Sequence, residues 1–308
     1  MKNNIASKGI GFAALLAATV WMATGCETVN KVVGAAADAA AAGGVITQDQ
    51  AESTKRVGTA VTKTFQDITP EQEYYIGRTV AATVLMGYKP QPNDDLNGYL
   101  NEVGQALAQF SGRPETFGGY HFLMLDSDDI NAFAAPGGLI LATRGLLKCC
   151  QTEDQLAAVL AHEIGHVEKL HGLRAIRTGR LNSALTILAV EAGKNLAGEQ
   201  LAEVTKAFDE SINDIAGTLM NSGYSRNLEY EADAAAITIL KKAGYQPGAL
   251  VAMLENMAKT WDSSRHDFAA THPAPADRIA QLKKLGVASS MASANSRQQR
   301  FLAATKAL

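Results

Sequence analysis

Apolar and polar positions divide the chain into three stretches. A run from about Ile10 to Met22, behind Lys2 and Lys8, is predominantly apolar but too short to span a bilayer comfortably, and it has the layout of an export signal. From Glu27 to Ile68 no apolar face is sustained: Ala35 to Gly44 is nearly all alanine with a glycine end, and the polar stretch Thr47 to Lys55 follows. Regular patterning begins at Thr69-Pro70. Thr69 suits an N-cap, Pro70 the first helical position, and Gln72 completes a capping box, which predicts a helix to about Met86. Asn93-Asp94-Asp95 opens a second helix, roughly Leu96 to Phe110. The period then shortens. Residues His121–Leu125 read as a strand, and Asn131–Ala135 and Leu139–Thr143 as two more around the turn Pro136-Gly137-Gly138. From Thr152 onward the pattern is helical, with breaks near Gly172, Gly198, Gly223, Gly244 and Asp262, and no repeat of 20–50 residues is found.

Composition narrows the class. The 308 residues are 47% apolar and 19% charged, a globular balance with ample material for a core, and a net charge of −3 gives no support to a nucleic-acid partner. Residues 1–25 are expected to be a leader. Ala23-Thr24-Gly25-Cys26 resembles a bacterial lipobox, with Ala23 where leucine is usual, and it predicts a lipidated Cys26 as the mature N-terminus. An ordinary signal peptide cleaved elsewhere, leaving Cys26 a free thiol, is the alternative, and both export the protein. Glu27 rather than aspartate favours the outer membrane, so a lipid-anchored protein facing the periplasm is expected. Residues 26–68 would then be a flexible tether. Cys149 and Cys150 are adjacent, a poor geometry for a mutual bridge. They read as small, partly buried thiols, with a bridge to another chain as the sharper alternative.

Gln151 to His171 carries the chemistry. Thr152 with Gln155 forms a plausible capping box, and inside the helix lies His162-Glu163-Ile164-Gly165-His166. Histidines at i and i+4 share a face one turn apart and can bind one zinc ion through ring nitrogens. With His162 at zero and about 100° per residue, His166 falls near 40° and Glu163 near 100°, in the middle of an apolar arc that includes Leu156, Leu160 and Val167. A carboxylate there is costly to bury and has a raised pKa, which suits a general base acting on water at the metal.

A catalytic zinc usually has three protein ligands. The best third candidate lies in Ser225 to Asp233, a new helix with Ser225 as its cap. Glu229 could bind the metal and Asp233, one turn on, could accept the other ring N–H of His162. On spacing alone Glu231 competes with Glu229.

These residues resemble the M48 family of zinc metallopeptidases, and within it the periplasmic, outer-membrane lipoprotein members. His162-Glu163-x-x-His166 followed by Glu229-x-x-x-Asp233 carries the likeness. So do Asn131-Ala132-Phe133-Ala134 with Pro136-Gly137-Gly138, Gly145-Leu146-Leu147, Ser225-Arg226, and Thr271-His272-Pro273 with Arg278-Ile279. The likeness covers roughly residues 69–285 and leaves 286–308 as a tail without an assigned role.

The resemblance implies an α+β, mostly α, gluzincin-type fold with a small sheet above the active helix. Its edge strand, Asn131–Ala135 or Leu139–Thr143, would take an extended polypeptide substrate along Asn131, Ala132 and Phe133. It implies one Zn2+ per chain held by His162, His166 and Glu229, with Glu163 as catalytic base and Asp233 supporting from behind. His272 would be a fourth ligand that closes the resting site, a donor to the substrate, or a loop anchor. Arg226 and Arg278 are candidate oxyanion donors, with structural pairing as the default. His121, His171 and His266 read as structural or solvent-facing. Membrane-spanning members carry long apolar helices; here the longest comparable run is Ala184 to Val190, so the domain is expected to be tethered only. Segment 172–224 would be amphipathic helices, in the core or as a lid. The implied function is an endopeptidase for unfolded or misassembled envelope proteins, with the outer-membrane assembly machinery as a candidate partner. A zinc-bearing scaffold or chaperone with little proteolysis is the alternative.

Overall fold

The computed structural model describes residues 68–175, 209–210, 212–260, 272–306 and 308. The leader, Cys26, the tether to residue 67, the Ala184–Val190 run, the predicted breaks at Gly198 and Asp262, His266 and most of segment 172–224 lie outside the described residues. One compact unit runs from Thr69 to Leu308.

Helix α1 (Pro70–Gly87) starts as its sequence dictates. Thr69 accepts from the Gln72 amide at 3.2 Å and Gln72 accepts from the Thr69 amide at 2.9 Å, a reciprocal cap of the kind that contributes about 1 kcal/mol. Helix α2 (Asp94–Ala108) is capped by Asn93, which accepts from Leu96. It starts and ends two residues earlier than the pattern suggested.

Strands β1 (His121–Leu125), β2 (Ala132–Ala135) and β3 (Leu139–Thr143) form one sheet in the order β1-β3-β2, with β1 parallel and β2 antiparallel to β3. Leu139–Thr143 is therefore the central strand, and of the two proposed edges only β2 is one. The outer edge of β1 is closed by an amide ladder on α2. Asn97 accepts from the Met124 amide, Asn101 both accepts from and donates to the Phe122 backbone, and Gln105 donates to the Tyr120 carbonyl. Residues spaced by four on a helix meet the outward-facing backbone of alternate strand residues, which removes one edge from pairing. On β2, Asn131 accepts from Thr143, so odd-numbered residues face β3 and the backbone groups of Ala132 and Ala134 face away from it.

The short α3 (Arg144–Cys149) leads to α4 (Glu153–Glu168), the central helix. Every residue from Glu153 to Val167 is buried. The single apolar arc expected of this helix is corrected here: α2, β2 and three helices that follow it in the chain pack around it on all sides. Thr152 caps it by accepting from Gln155, but the return arm goes one residue upstream, from the Gln151 amide to Gln155 Oε1 at 2.6 Å. The helix ends at Lys169–Leu170 rather than near Gly172. Leu170 takes a left-handed φ of 57°, a strained conformation for a leucine, and α5 (His171–Arg174) turns back beneath the helix end.

A π-helical turn (Thr218–Ser222) and Gly223 precede α6 (Arg226–Ala243). Ser225 sits at its N-cap without a side-chain cap hydrogen bond, while Gly244 ends it in the left-handed region. Gly165 lets α6 come close: a Cβ there would stand 2.8 Å from the Ala232 carbonyl oxygen. Helices α7 (Gly248–Thr260) and α8 (Pro275–Lys284) follow. The tail forms α9 (Asn295–Thr305), which buries Phe301 and pins the start of α4. Buried Glu153 accepts from Arg300, Tyr99 and Tyr245, and buried Asp154 from Arg297, Ser293 and the Gln246 amide. Among the described residues no helix is long and apolar enough to cross a membrane.

Candidate metal centre

The close α4–α6 crossing brings Glu229 over the two histidines. His162 Nε2 and His166 Nε2 stand 3.1 Å apart, Glu229 Oε2 is 3.4 Å from the first and Glu229 Oε1 3.4 Å from the second. All three side chains are buried. A tetrahedral ion with arms of 2.0–2.1 Å needs donors about 3.3–3.4 Å apart, so the spacing fits such an ion. His272 adds a fourth corner, with Nδ1 2.8 Å from Glu229 Oε2, and one donor atom from each of His162, His166, Glu229 and His272 lies within 4.8 Å of the others. Glu163 is buried beside them, and its Oε1 has no hydrogen-bond partner; nor has Glu229 Oε1. Buried carboxylate oxygens left without a donor are costly. A divalent cation is the chemistry that would compensate them, so the donor set fits a metal.

Behind the cluster the two histidines of α4 are each held from the second nitrogen. His162 Nδ1 meets Asp233 Oδ1 at 2.9 Å, and Arg278 grips Asp233 through Nε and Nη2 at 3.0 and 2.6 Å. Arg278 Nη2 also lies 3.1 Å from His162 Nδ1, and Nη1 3.5 Å from Glu229. Arg278 is therefore a buried member of the support, the pairing named as its default. His166 Nδ1 meets His171 Nδ1 at 2.8 Å, and His171 Nε2 meets Glu231 at 3.2 Å. Tyr224 stacks on the His166 ring at 4.5 Å and 19°. His171, read from sequence as structural or solvent-facing, is buried and linked to the site through His166.

Charges in the cluster follow from burial and partners. Burial pushes the Glu163 carboxyl above its usual range, more than the nearby His162 and His272 lower it. Glu229 is also pushed up by burial, but His272 and the hydrogen bonds from His162 and His272 hold it well below that range. For Asp233, burial is outweighed by Arg278 and His162, and its pKa is lowered. Burial drives His166 well below an ordinary histidine and His171 down to about 4. For His162, burial and Arg278 act downward, but hydrogen bonds to Asp233 and Glu229 raise it to about 9 in the metal-free site.

Other expected residues lie apart from this centre. Arg226 is at the surface, its side chain 70% exposed and 3.4 Å from Asp277. Asn131 is buried at the start of β2, its Oδ1 accepting from the Ala132 amide at 2.9 Å, and Phe133 is buried against Tyr88. His121 reaches the Gly118 carbonyl at an exposed turn. No bridge joins Cys149 and Cys150; the second is buried and the first partly so. The sequence reading assigned nothing to Tyr224, and Glu231 only as a rival ligand. No spacing rule joins residues 166, 171, 224 and 231; their proximity is tertiary.

The profile of peptidase family M48 matches residues 94–286. The beta-barrel assembly-enhancing protease of Escherichia coli (strain K12) is 30% identical over 215 residues, which cover 68% of this chain and 42% of that protein. The mitochondrial metalloendopeptidase OMA1 of Schizosaccharomyces pombe is 32% identical over 192 residues, 60% of this chain and 52% of that protein. The metalloprotease LoiP of Escherichia coli (strain K12) is 26% identical over 192 residues, 62% of this chain and 71% of that protein. The chain thus spans less than half the length of the first of these relatives. A profile match over more than half of the sequence, taking in both helices that carry the cluster, shows that the chain belongs to peptidase family M48, a family of metallopeptidases.

Proposed function

We propose that the chain is a zinc-dependent endopeptidase that cleaves unfolded or misassembled proteins of the cell envelope. The observation that carries this is the buried Glu163, with an unpartnered oxygen and a raised pKa, beside three donors spaced for a tetrahedral ion. His162, His166 and Glu229 would hold one zinc ion, which when bound polarises the scissile carbonyl and acidifies the attacking water. Glu163 takes the proton of that water and passes it to the leaving nitrogen. Asp233, gripped by Arg278, keeps the His162 ring oriented.

Substrate binding follows from the sheet. One edge is closed by the α2 amides; on β2 the Ala132 amide is taken by Asn131 Oδ1, which leaves the Ala132 carbonyl and the Ala134 backbone facing outward. An extended peptide adding to β2 would bind by main-chain hydrogen bonds and so with little sequence preference. That mode suits unfolded segments. The envelope setting rests on the name of the enterobacterial relative and on the lipobox-like Ala23-Thr24-Gly25-Cys26. A periplasm-facing outer-membrane lipoprotein, acting beside the assembly machinery, is the fuller form of this reading.

His272 favours a second reading. With His272 against Glu229, the cluster has four protein donors, and four-donor zinc sites are typically structural. A scaffold or chaperone that cleaves little would have such a centre. Casein cleavage and zinc content of the full-length protein and Glu163→Gln separate the two. One zinc in both with cleavage only by the wild type supports the peptidase. One zinc in both with no cleavage even by His272→Ala supports the scaffold, and no zinc in any form overturns both.

A further inference from the structure

The outer face of His166 determines where its proton sits. His166 Nδ1 lies 2.8 Å from His171 Nδ1; beyond it, His171 Nε2 lies 3.2 Å from Glu231 Oε2, which Arg174 holds at 2.7 Å. Both imidazoles are buried. Two neutral rings meeting through Nδ1 admit two proton arrangements. In the first, His166 donates from Nδ1 and keeps its Nε2 lone pair toward Glu229 and His162, while His171 accepts and carries its own proton on Nε2. In the second both rings are reversed: the His166 proton sits on Nε2, inside the centre, and His171 turns a lone pair toward Glu231.

An ionised carboxylate only accepts. The second arrangement sets a nitrogen lone pair against the Glu231 oxygen at 3.2 Å, within hydrogen-bond geometry, whereas the first makes a charge-assisted hydrogen bond of that contact; the first leaves the His166 Nε2 lone pair facing Glu229 Oε1, but at 3.4 Å and without hydrogen-bond geometry. We propose that Glu231, acting through His171, fixes His166 as the Nδ1-protonated tautomer and so holds its Nε2 lone pair ready for the metal before the metal arrives. His171 and Glu231 are then positioning residues of the centre. The tautomer stands on geometry alone; its use rests on the zinc reading above.

Three local features serve the same end. The strained Leu170 turn brings His171 beneath His166. Tyr224 stacks on the His166 ring and restrains its rotation. The two histidines of α4 also have matching supports: His162 meets the Asp233–Arg278 pair directly, and His166 meets the Glu231–Arg174 pair through one additional ring.

The test uses full-length protein labelled with imidazole-15N histidine, without metal. Two-bond 1H–15N spectra read which ring nitrogen carries each proton, a signature that a merely structural role would not set. His166 is expected as the Nδ1–H form and His171 as the Nε2–H form, with His166 shifting toward Nε2–H in Glu231→Ala, a change at a half-exposed side chain. Zinc affinity by chelator competition should fall about tenfold in Glu231→Ala and 10–100-fold in His171→Leu. His171→Asn, whose side-chain carbonyl can accept from His166, should recover most of the second loss. A wild-type His166 protonated on Nε2, or zinc affinities of Glu231→Ala and His171→Leu within about twofold of wild type, would overturn the proposal. The predicted tautomers in a wild-type chain that takes up no zinc would support this inference and overturn the functional reading instead.

Discussion

At the residue scale the centre is a set of buried titratable groups whose pKa values diverge. His166 and His171 are depressed, so the folded chain resists protonating them while the unfolded chain binds those protons below about pH 6.5. Their contribution is present above pH 6.5 and is lost as pH falls, for His171 through about 4. His162 is raised, so its contribution is full below pH 6.5 and is lost as pH rises through about 9. The metal-free protein is therefore predicted to be most stable near pH 6.5, with its thermal midpoint falling on both sides; a midpoint still rising from pH 7 to 9 would count against the His162 assignment. Asp233→Ala removes the partner of buried Arg278 and of His162 together. It should weaken zinc binding 10–100-fold and cost roughly 3–5 kcal/mol in urea unfolding; full retention of both would contradict the support role. The i, i+4 pair of histidines was legible because a helix makes such spacings geometric; spacing left Glu229 and Glu231 in competition, and the family resemblance preferred Glu229. Tyr224 and the His171–Glu231 link were not legible, since nothing local joins residues so far apart in the chain.

At the element scale the α4–α6 crossing matters most. Gly165 faces the α6 backbone, and a methyl group there meets the Ala232 carbonyl at 2.8 Å. Gly165→Ala is predicted to push the helices apart, costing about 1–3 kcal/mol by overpacking and lowering zinc affinity by drawing Glu229 off the histidines. Unchanged zinc affinity by chelator competition would show that the crossing tolerates the shift. Element types were readable because caps and turns are local: Thr69 with Gln72, Asn93, and Pro136-Gly137-Gly138 each appear where expected. The edge strand was not readable. Asn131–Ala135 and Leu139–Thr143 have similar apolar patterns, and only pairing in space puts the second in the middle. The end of α4 was misjudged for a related reason: a strained Leu170, which no propensity favours, stops it before Gly172.

At the scale of the molecule the helix that carries His162 and His166 is held at both ends. Its C-terminal end turns into the His171 support, and its N-terminal end is closed by α9, which lies beyond the family match at residue 286. Alanine-rich and polar, the tail carries no assigned role in sequence. Its arginines nevertheless reach Glu153 and Asp154, whose burial depends on those partners. Ending the chain at Gly286 should cost roughly 3–5 kcal/mol of stability to denaturant, the penalty for stripping partners from buried charge; a loss below 1 kcal/mol would mean that the tail is only surface packing.

The most direct test of the central claim is zinc-edge X-ray absorption on the full-length protein purified without added chelator. The account predicts one zinc per chain with nitrogen and oxygen neighbours at about 2.0–2.1 Å and imidazole scattering from at least two rings, lost when His162 and His166 are both replaced by alanine. A chain without stoichiometric zinc, or a zinc bound through sulfur near 2.3 Å, as Cys149 and Cys150 would give, would contradict it.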